Sequence, residues 1–164
     1  MNWYKQAKKF SKKDVLQEIG DDWADYAKFA EIWVMSVEDA KDQNIIKEDG
    51  TLNTIEGPQK PKDTDVICRG KKGEFWNQPE SRLKEKYTKT NNGNPEEKRN
   101  GHYGWTEWKP KGEKVEAFKF TSGAFKIDSM AGKKGDWVLR DKNNHSDVWV
   151  VDNELFHETY KKVH

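Results

Sequence analysis

The sequence predicts an α+β protein: two small β-rich modules, each of antiparallel hairpins plus a terminal short helix, preceded by an N-terminal helical segment. Three observations carry this reading. Apolar runs of strand length recur between turn-rich segments. The same order of elements occurs twice within 164 residues. The core-forming content is carried by rings, with eight Trp, seven Phe and five Tyr beside 36% charged residues. A ring buries roughly 150–250 Å², so a few rings do the work of many aliphatic side chains.

Composition also excludes classes. The 30 Lys+Arg and 29 Asp+Glu leave a net charge of +1, without the global electrostatic footprint of a nucleic-acid-binding chain. Local basic patches stay open. No apolar run approaches the ~20 residues of a membrane span. No apolar stretch follows Met1-Asn2-Trp3-Tyr4-Lys5, so no secretory signal is expected. The single Cys68 supports neither a disulfide framework nor a multi-Cys zinc site. A cytoplasmic protein without membrane association is expected.

The elements follow in order. Trp3, Ala7 and Phe10 have helical spacing, and Ser11 with Asp14 resembles a capping box before Val15, Leu16 and Ile19. Gly20 stops that helix. Asp21 or Asp22 then caps a second short helix through Trp23, Tyr26, Ala27 and Ala30. Ile32-Trp33-Val34-Met35 reads as a strand, and residues 37–62 as a long loop with a helical turn at 37–45. Val66 to Arg69 and Glu74-Phe75-Trp76 form a hairpin about Gly70-Lys71-Lys72-Gly73, with a helix from Pro79 through Leu83 and Tyr87. Past a polar stretch, Val115 to Phe120 is a strand and Ala124 to Ile127 a short one. Trp137 to Arg140 and Val148 to Val151 form a hairpin, and Asn153 caps a last helix through Leu155, Phe156 and Tyr160.

The repeat sets the predicted domains. Glu74-Phe75-Trp76 through Tyr87 aligns with Asp147-Val148-Trp149 through Tyr160 without a gap, with Trp76/Trp149, Glu85/Glu158, Tyr87/Tyr160 and Lys89/Lys162 identical. Asp65 to Arg69 aligns with Asp136 to Arg140. Upstream, Trp23 and Glu31-Ile32-Trp33 align with Trp108 and Glu116-Ala117-Phe118. The expected organisation is an N-terminal helical segment (1–22), a first repeat with a loop insertion (23–88), a linker (89–107) and a second repeat (108–164). Each copy is too short for a generous core, so the two are expected to pack on each other.

The second hairpin carries a resemblance. Val115-Glu116-Ala117-Phe118, Gly135-Asp136-Trp137-Val138, and Phe156 with Tyr160 resemble a small module of bacteriophage and prophage proteins, with a (Pro)-Gly-Asp-Trp/Tyr hairpin and a terminal Phe-x-x-x-Tyr helix. The likeness covers about 115–162. The first copy keeps Gly73-Glu74 and the Leu83/Tyr87 spacing. The departures are Lys134 for the Pro, Ser146-Asp147 for the Gly-Glu return, and Thr64-Asp65-Val66 for Gly-Asp-Trp. The resemblance implies a fold and a phage or mobile-element context, and no chemistry. In physical terms the Gly permits a tight turn, the Asp caps it, and the Trp anchors the hairpin.

No catalytic set, cofactor motif or metal spacing is found among His102, His145, His157 and His164. The Gly70-Lys71-Lys72-Gly73 and Gly132-Lys133-Lys134-Gly135 turns lack a phosphate-loop ending. Cys68 alternates with Val66 and reads as an inward, inert side chain. Three features stand out. Arg69 and Arg140 hold the same place in both copies, to clamp a phosphate or carboxylate or to pair with Asp65 or Asp136. His102, Tyr103 and Trp105 lie on a Gly-flanked loop, as recognition anchors or as a clasp between the copies. Lys5, Lys8, Lys9, Lys12 and Lys13 make a basic helix, solvated or facing nucleic acid or an acidic surface. The resulting expectation is a non-enzymatic phage-type accessory or interaction protein with a protein partner and an anti-defence role. The alternative is a nucleotide or nucleic-acid binder using the paired Arg, the Lys-rich turns and aromatic stacking.

Overall fold

The computed structural model describes residues 10–163. The elements run α1 (Lys12–Ile19), β1 (Ala24–Lys28), β2 (Ile32–Ser36), α2 (Val37–Asp42), β3 (Leu52–Thr54), β4 (Gly57–Gln59), β5 (Asp65–Arg69), β6 (Phe75–Pro79), α3 (Glu80–Lys86) and β7 (Tyr87–Lys89). They continue with β8 (Thr106–Pro110), β9 (Lys114–Lys119), β10 (Phe125–Ile127), β11 (Met130–Gly132), β12 (Trp137–Asp141), β13 (Val148–Val151), α4 (Asn153–Thr159) and β14 (Tyr160–Lys162). The α+β class and the two β-rich modules hold.

The chain forms two compact units, one continuous (Phe29–Gly112) and one assembled from the residues up to Lys28 and from Glu113 onward. Each is built on a five-stranded antiparallel sheet. The continuous unit has the order β6-β5-β2-β8-β7, the discontinuous unit β13-β12-β9-β1-β14. The orders correspond strand for strand, but β1 and β8 are exchanged. β1 leads into the first copy yet pairs with β9 and β14, while β8 leads into the second copy yet pairs with β2 and β7.

This exchange replaces the predicted division. Residues 89–107 are not a linker: they connect β7 to β8 inside the continuous unit. The alignment upstream also shifts. Ile32 pairs with Trp108, and Val115 pairs with Tyr26, so Trp108 corresponds to Tyr26 and Trp23 to Trp105. Ile32 then takes the place of Val115, two residues from the sequence alignment. A two-residue slip keeps every side chain on its face, so the alternation pattern did not betray it.

Both faces of each sheet are covered. In the continuous unit Ile32, Val34, Val66 and Cys68 pack under Leu83 and Tyr87. The opposite face places Met35 and Ile67 with Val37, Ala40, Ile46, Leu52 and Trp105. In the discontinuous unit Val115, Ala117, Trp137 and Leu139 pack under Phe156 and Tyr160. There the indole of Trp137 stacks on Phe156 at 3.9 Å, and Phe156 on Tyr160 at 5.2 Å. Its other face joins Val138, Val148 and Val150 to Val15 and Ile19 of α1, with Phe120, Phe125 and Ile127.

The capping box of Ser11 and Asp14 forms and starts α1 at Lys12; the more N-terminal part of the predicted helix, with Lys5, Lys8 and Lys9, lies outside the described residues. Phe10 bridges to Phe125 instead of continuing a helix. The predicted second helix over Trp23 to Ala30 is the strand β1. Tyr26 and Ala27 pair on one side with β9 and on the other with β14, and this long-range pairing overrides a weak helical spacing. Asp152, not Asn153, caps α4, accepting from the Glu154 and Leu155 N–H groups.

The hairpin Asp has one structural role in both copies. Asp65 Oδ2 accepts the Lys62 N–H at 3.0 Å and Asp136 Oδ2 the Lys133 N–H at 2.9 Å; both carboxylates are buried. Asp65 also accepts from Asn77, and Asp136 from the Asn153 N–H. Gly135, at φ +95, supplies the left-handed residue before Asp136.

Candidate functional site

The candidate site belongs to the continuous unit and is built on the β7–β8 connection. Residue 107 anchors it. The Glu107 carboxylate is buried and accepts from Thr90 Oγ1 at 2.8 Å and Asn92 Nδ2 at 3.1 Å, and the Thr90 N–H donates to the Glu107 carbonyl. A buried carboxylate is tolerated when its oxygens are hydrogen-bonded. Arg99 and His102 exchange two backbone hydrogen bonds, and the Gly104 N–H donates to the Pro95 carbonyl. The connection is therefore an ordered surface loop.

Tyr103 sits on this frame. Its backbone is held at both ends by one side-chain amide: the Tyr103 N–H donates to Gln43 Oε1 and Gln43 Nε2 donates to the Tyr103 carbonyl, each at 2.8 Å. Gln43, which caps the C-terminal end of α2, is itself fixed by a bond from its Nε2 to the Asp39 carbonyl of that helix. The ring stands 46% exposed, with the Lys98 ammonium over it at 5.6 Å from the centroid.

Beside it lies a recess of about 290 Å³ lined by Asn91, Gly93, Asn94, Glu97, Lys98, Arg99 and Trp105. The Arg99 guanidinium lies over the Trp33 ring at 3.6 Å from the centroid. Such a stack is worth roughly 0.5–1 kcal/mol at an exposed position, and it holds the guanidinium flat. Gly93 permits this approach: at φ +91 it takes a left-handed conformation, and a Cβ there would meet Trp33 Cζ3 at 2.7 Å.

The sequence-selected residues fare unequally. Tyr103 is exposed as a recognition anchor requires. Trp105 is not such an anchor: at 1% exposure it stacks on Phe75 and fills the core, because the residues flanking β8 close the face opposite α3. Its position in the continuous unit is the one that Trp23 holds in the discontinuous unit. Trp105 Nε1 and His102 Nδ1 are buried without a hydrogen-bond partner among the described residues.

Arg69 and Arg140 occupy equivalent places in different units. The alternative of pairing with Asp65 or Asp136 is not what holds them. Arg140 Nε donates to Glu116 at 3.0 Å, beside a His145–Glu116 contact, and its guanidinium covers Trp23 at 4.3 Å. Arg69 folds its guanidinium against Gly73 of its own hairpin turn. Of the basic helix, Lys12 pairs with Asp128 at 3.2 Å. Cys68 is buried, with Gln78 Nε2 3.2 Å from its sulfur.

Sequence reasoning missed Arg99, Lys98, Trp33 and Gln43. The Asn- and Gly-rich run before them reads locally as a linker, and only long-range contact makes it a site. Among the described residues no group of three or more His, Cys, Asp or Glu converges to hold a metal, and no helix is long and apolar enough to cross a membrane. Comparison with protein-family models, curated proteins and solved structures finds no match to the chain.

Proposed function

We propose that the chain is a non-enzymatic binding protein of phage type that engages a protein partner through the 91–103 loop. The observation that carries this is Tyr103, an exposed ring on a backbone clamped at both ends by Gln43. An anchor already held in place loses little conformational freedom on binding, and Tyr is enriched among residues that dominate interface energy. The loop is present only in the continuous unit. In the other unit, β14 and β1 are not joined by a connection, so an extra, ordered, surface loop distinguishes one copy from the other. The phage-type context and the anti-defence role are supported by the resemblance of residues 115–162 alone.

Affinity capture from phage-infected and uninfected bacterial lysates tests this. One protein should be recovered by the wild type and lost with Tyr103→Ala. Recovery unchanged by Tyr103→Ala, with salt-sensitive retention of oligonucleotides instead, would favour the nucleic-acid reading.

A further inference from the structure

We infer that the recess beside Tyr103 takes a carboxylate group of the protein partner, held by Arg99. The inference rests on the partner-binding reading and names the chemistry of that same site.

The reasoning starts from the guanidinium. Arg presents its N–H donors in a planar fork that matches the two oxygens of a carboxylate. The stack on Trp33 occupies one face of the Arg99 guanidinium and leaves its edge for in-plane donation. Among the described residues, neither Arg99 nor Lys98 forms an ion pair. Arg140 differs: its guanidinium is also stacked on a Trp, but its Nε–H is already committed to Glu116. The unit with the extra loop therefore keeps the stack and leaves the fork available.

The lining sets the class of anion. Lys98 and Arg99 against Glu97 leave a single net positive charge, which suits one carboxylate better than a phosphate dianion. Asn91 and Asn94 add neutral amide donors at the rim. A nucleic-acid backbone needs a run of cations, and this recess has two beside an opposing carboxylate. Its volume of about 290 Å³ fits an acidic side chain or a chain end and not a large cofactor. Lys98 lines the recess and also covers Tyr103, so ring and recess form one continuous surface.

The test is an NMR titration of the full ¹⁵N-labelled chain, following the Arg99 Nε–H and the Trp33 indole N–H. The probes are N-acetyl-glutamic acid amide for a side-chain carboxylate, N-acetyl-alanine for a chain-terminal one, inorganic phosphate, and a deoxythymidine oligonucleotide. Saturable shifts with at least one of the two carboxylates are expected, and which of them binds tighter identifies the source. Arg99→Gln should weaken this binding at least tenfold and Arg99→Lys should not restore it, whereas Arg82→Gln should leave it unchanged. No saturable shift with either carboxylate overturns the proposal, as does binding that survives Arg99→Gln, or tighter binding of phosphate or oligonucleotide. The titration uses no partner. Its failure therefore leaves capture through Tyr103 standing, and loss of capture does not alter the titration.

Discussion

Tyr26 and Trp108 occupy the same position in two different sheets: Tyr26 lies opposite Val115, and Trp108 lies opposite Ile32. Each ring packs on the helix-covered face of its sheet, one with Phe156 and Tyr160, the other with Leu83 and Tyr87. Each is contributed by the strand that precedes the other copy in sequence. The two similar sheets therefore exchange strands: each takes its fourth strand in the sheet order from the segment that precedes the other copy in sequence.

A cut in the 91–100 loop should not free two halves. After cleavage at a specific protease site inserted behind Pro95, β8 stays between β2 and β7, and β1 stays between β9 and β14. The fragments are expected to co-elute on size exclusion in native buffer and to separate in denaturant. Separation in native buffer would show that the exchange does not hold them.

Trp105 and Tyr103 should respond in opposite ways to truncation. Trp105→Ala empties a core position between Phe75 and the α2 side of the sheet, and large-to-small core changes of this kind cost about 3–5 kcal/mol. Tyr103→Ala removes an exposed ring while its backbone clamp stays, and is expected to cost less than about 0.5 kcal/mol. Urea denaturation of both variants measures the difference. Comparable losses would contradict the assignment of one to the core and the other to the surface.

What was legible in the sequence, and what was not, follows from the range of the interactions. The hairpins β5–β6 and β12–β13 could be read because alternation and turn residues are local, and the shared role of Asp65 and Asp136 follows from the same short range. The strand β1 could not, because its partners Val115 and Lys162 are far away in sequence, and Tyr26 with Ala27 suits a helix face as well as a strand. The edge strands β7 and β14 look locally like helix ends for the same reason: Tyr87 and Tyr160 leave the helix only because a sheet edge awaits them. At the site, Tyr103 was visible as an aromatic among glycines. Arg99 was not, since nothing within its own loop announces Trp33. Trp105 misled because a Gly-flanked Trp looks exposed until its strand is paired.

Gly93 should be intolerant of a side chain. Its φ of +91 disfavours any L residue, and the added Cβ of Gly93→Ala would sit 2.7 Å from Trp33 Cζ3. A loss of about 1–2 kcal/mol is expected, above the ordinary gain of a Gly→Ala change at a compatible site. The same variant should displace Trp33 from under Arg99, read as a change in the Arg99 Nε–H shift. Unchanged stability and an unchanged Arg99 signal would mean the loop relaxes freely.

The cluster of Lys133, Asp136 and Asp152 ties the hairpin turn to the start of α4 and should give stability a defined pH dependence. Lys133 Nζ lies 3.0 Å from Asp152 Oδ1 and 3.4 Å from Asp136 Oδ2. Burial favours the neutral acid at Asp152, but the Lys133 ammonium and the Leu155 and Glu154 N–H groups outweigh it and hold the carboxyl below its usual range. Burial likewise opposes the charged Lys133, and the Asp152 and Asp136 carboxylates outweigh it and hold Lys133 above its usual range. A lowered carboxyl gives stability that is present above about pH 4 and lost as pH falls through its folded value. A raised ammonium gives stability that is present below about pH 10 and lost as pH rises through its folded value. Asp152→Asn keeps a side-chain cap, since Asn caps as well as Asp, and removes the charge. At about pH 7 this variant should be less stable by roughly 0.5–1 kcal/mol, both partners being partly solvated. The gap should close as pH falls to about 2, where the wild-type carboxyl is protonated too. Urea midpoints across that range decide it: a gap that persists at the acid end would assign the loss to the cap rather than to the ion pair.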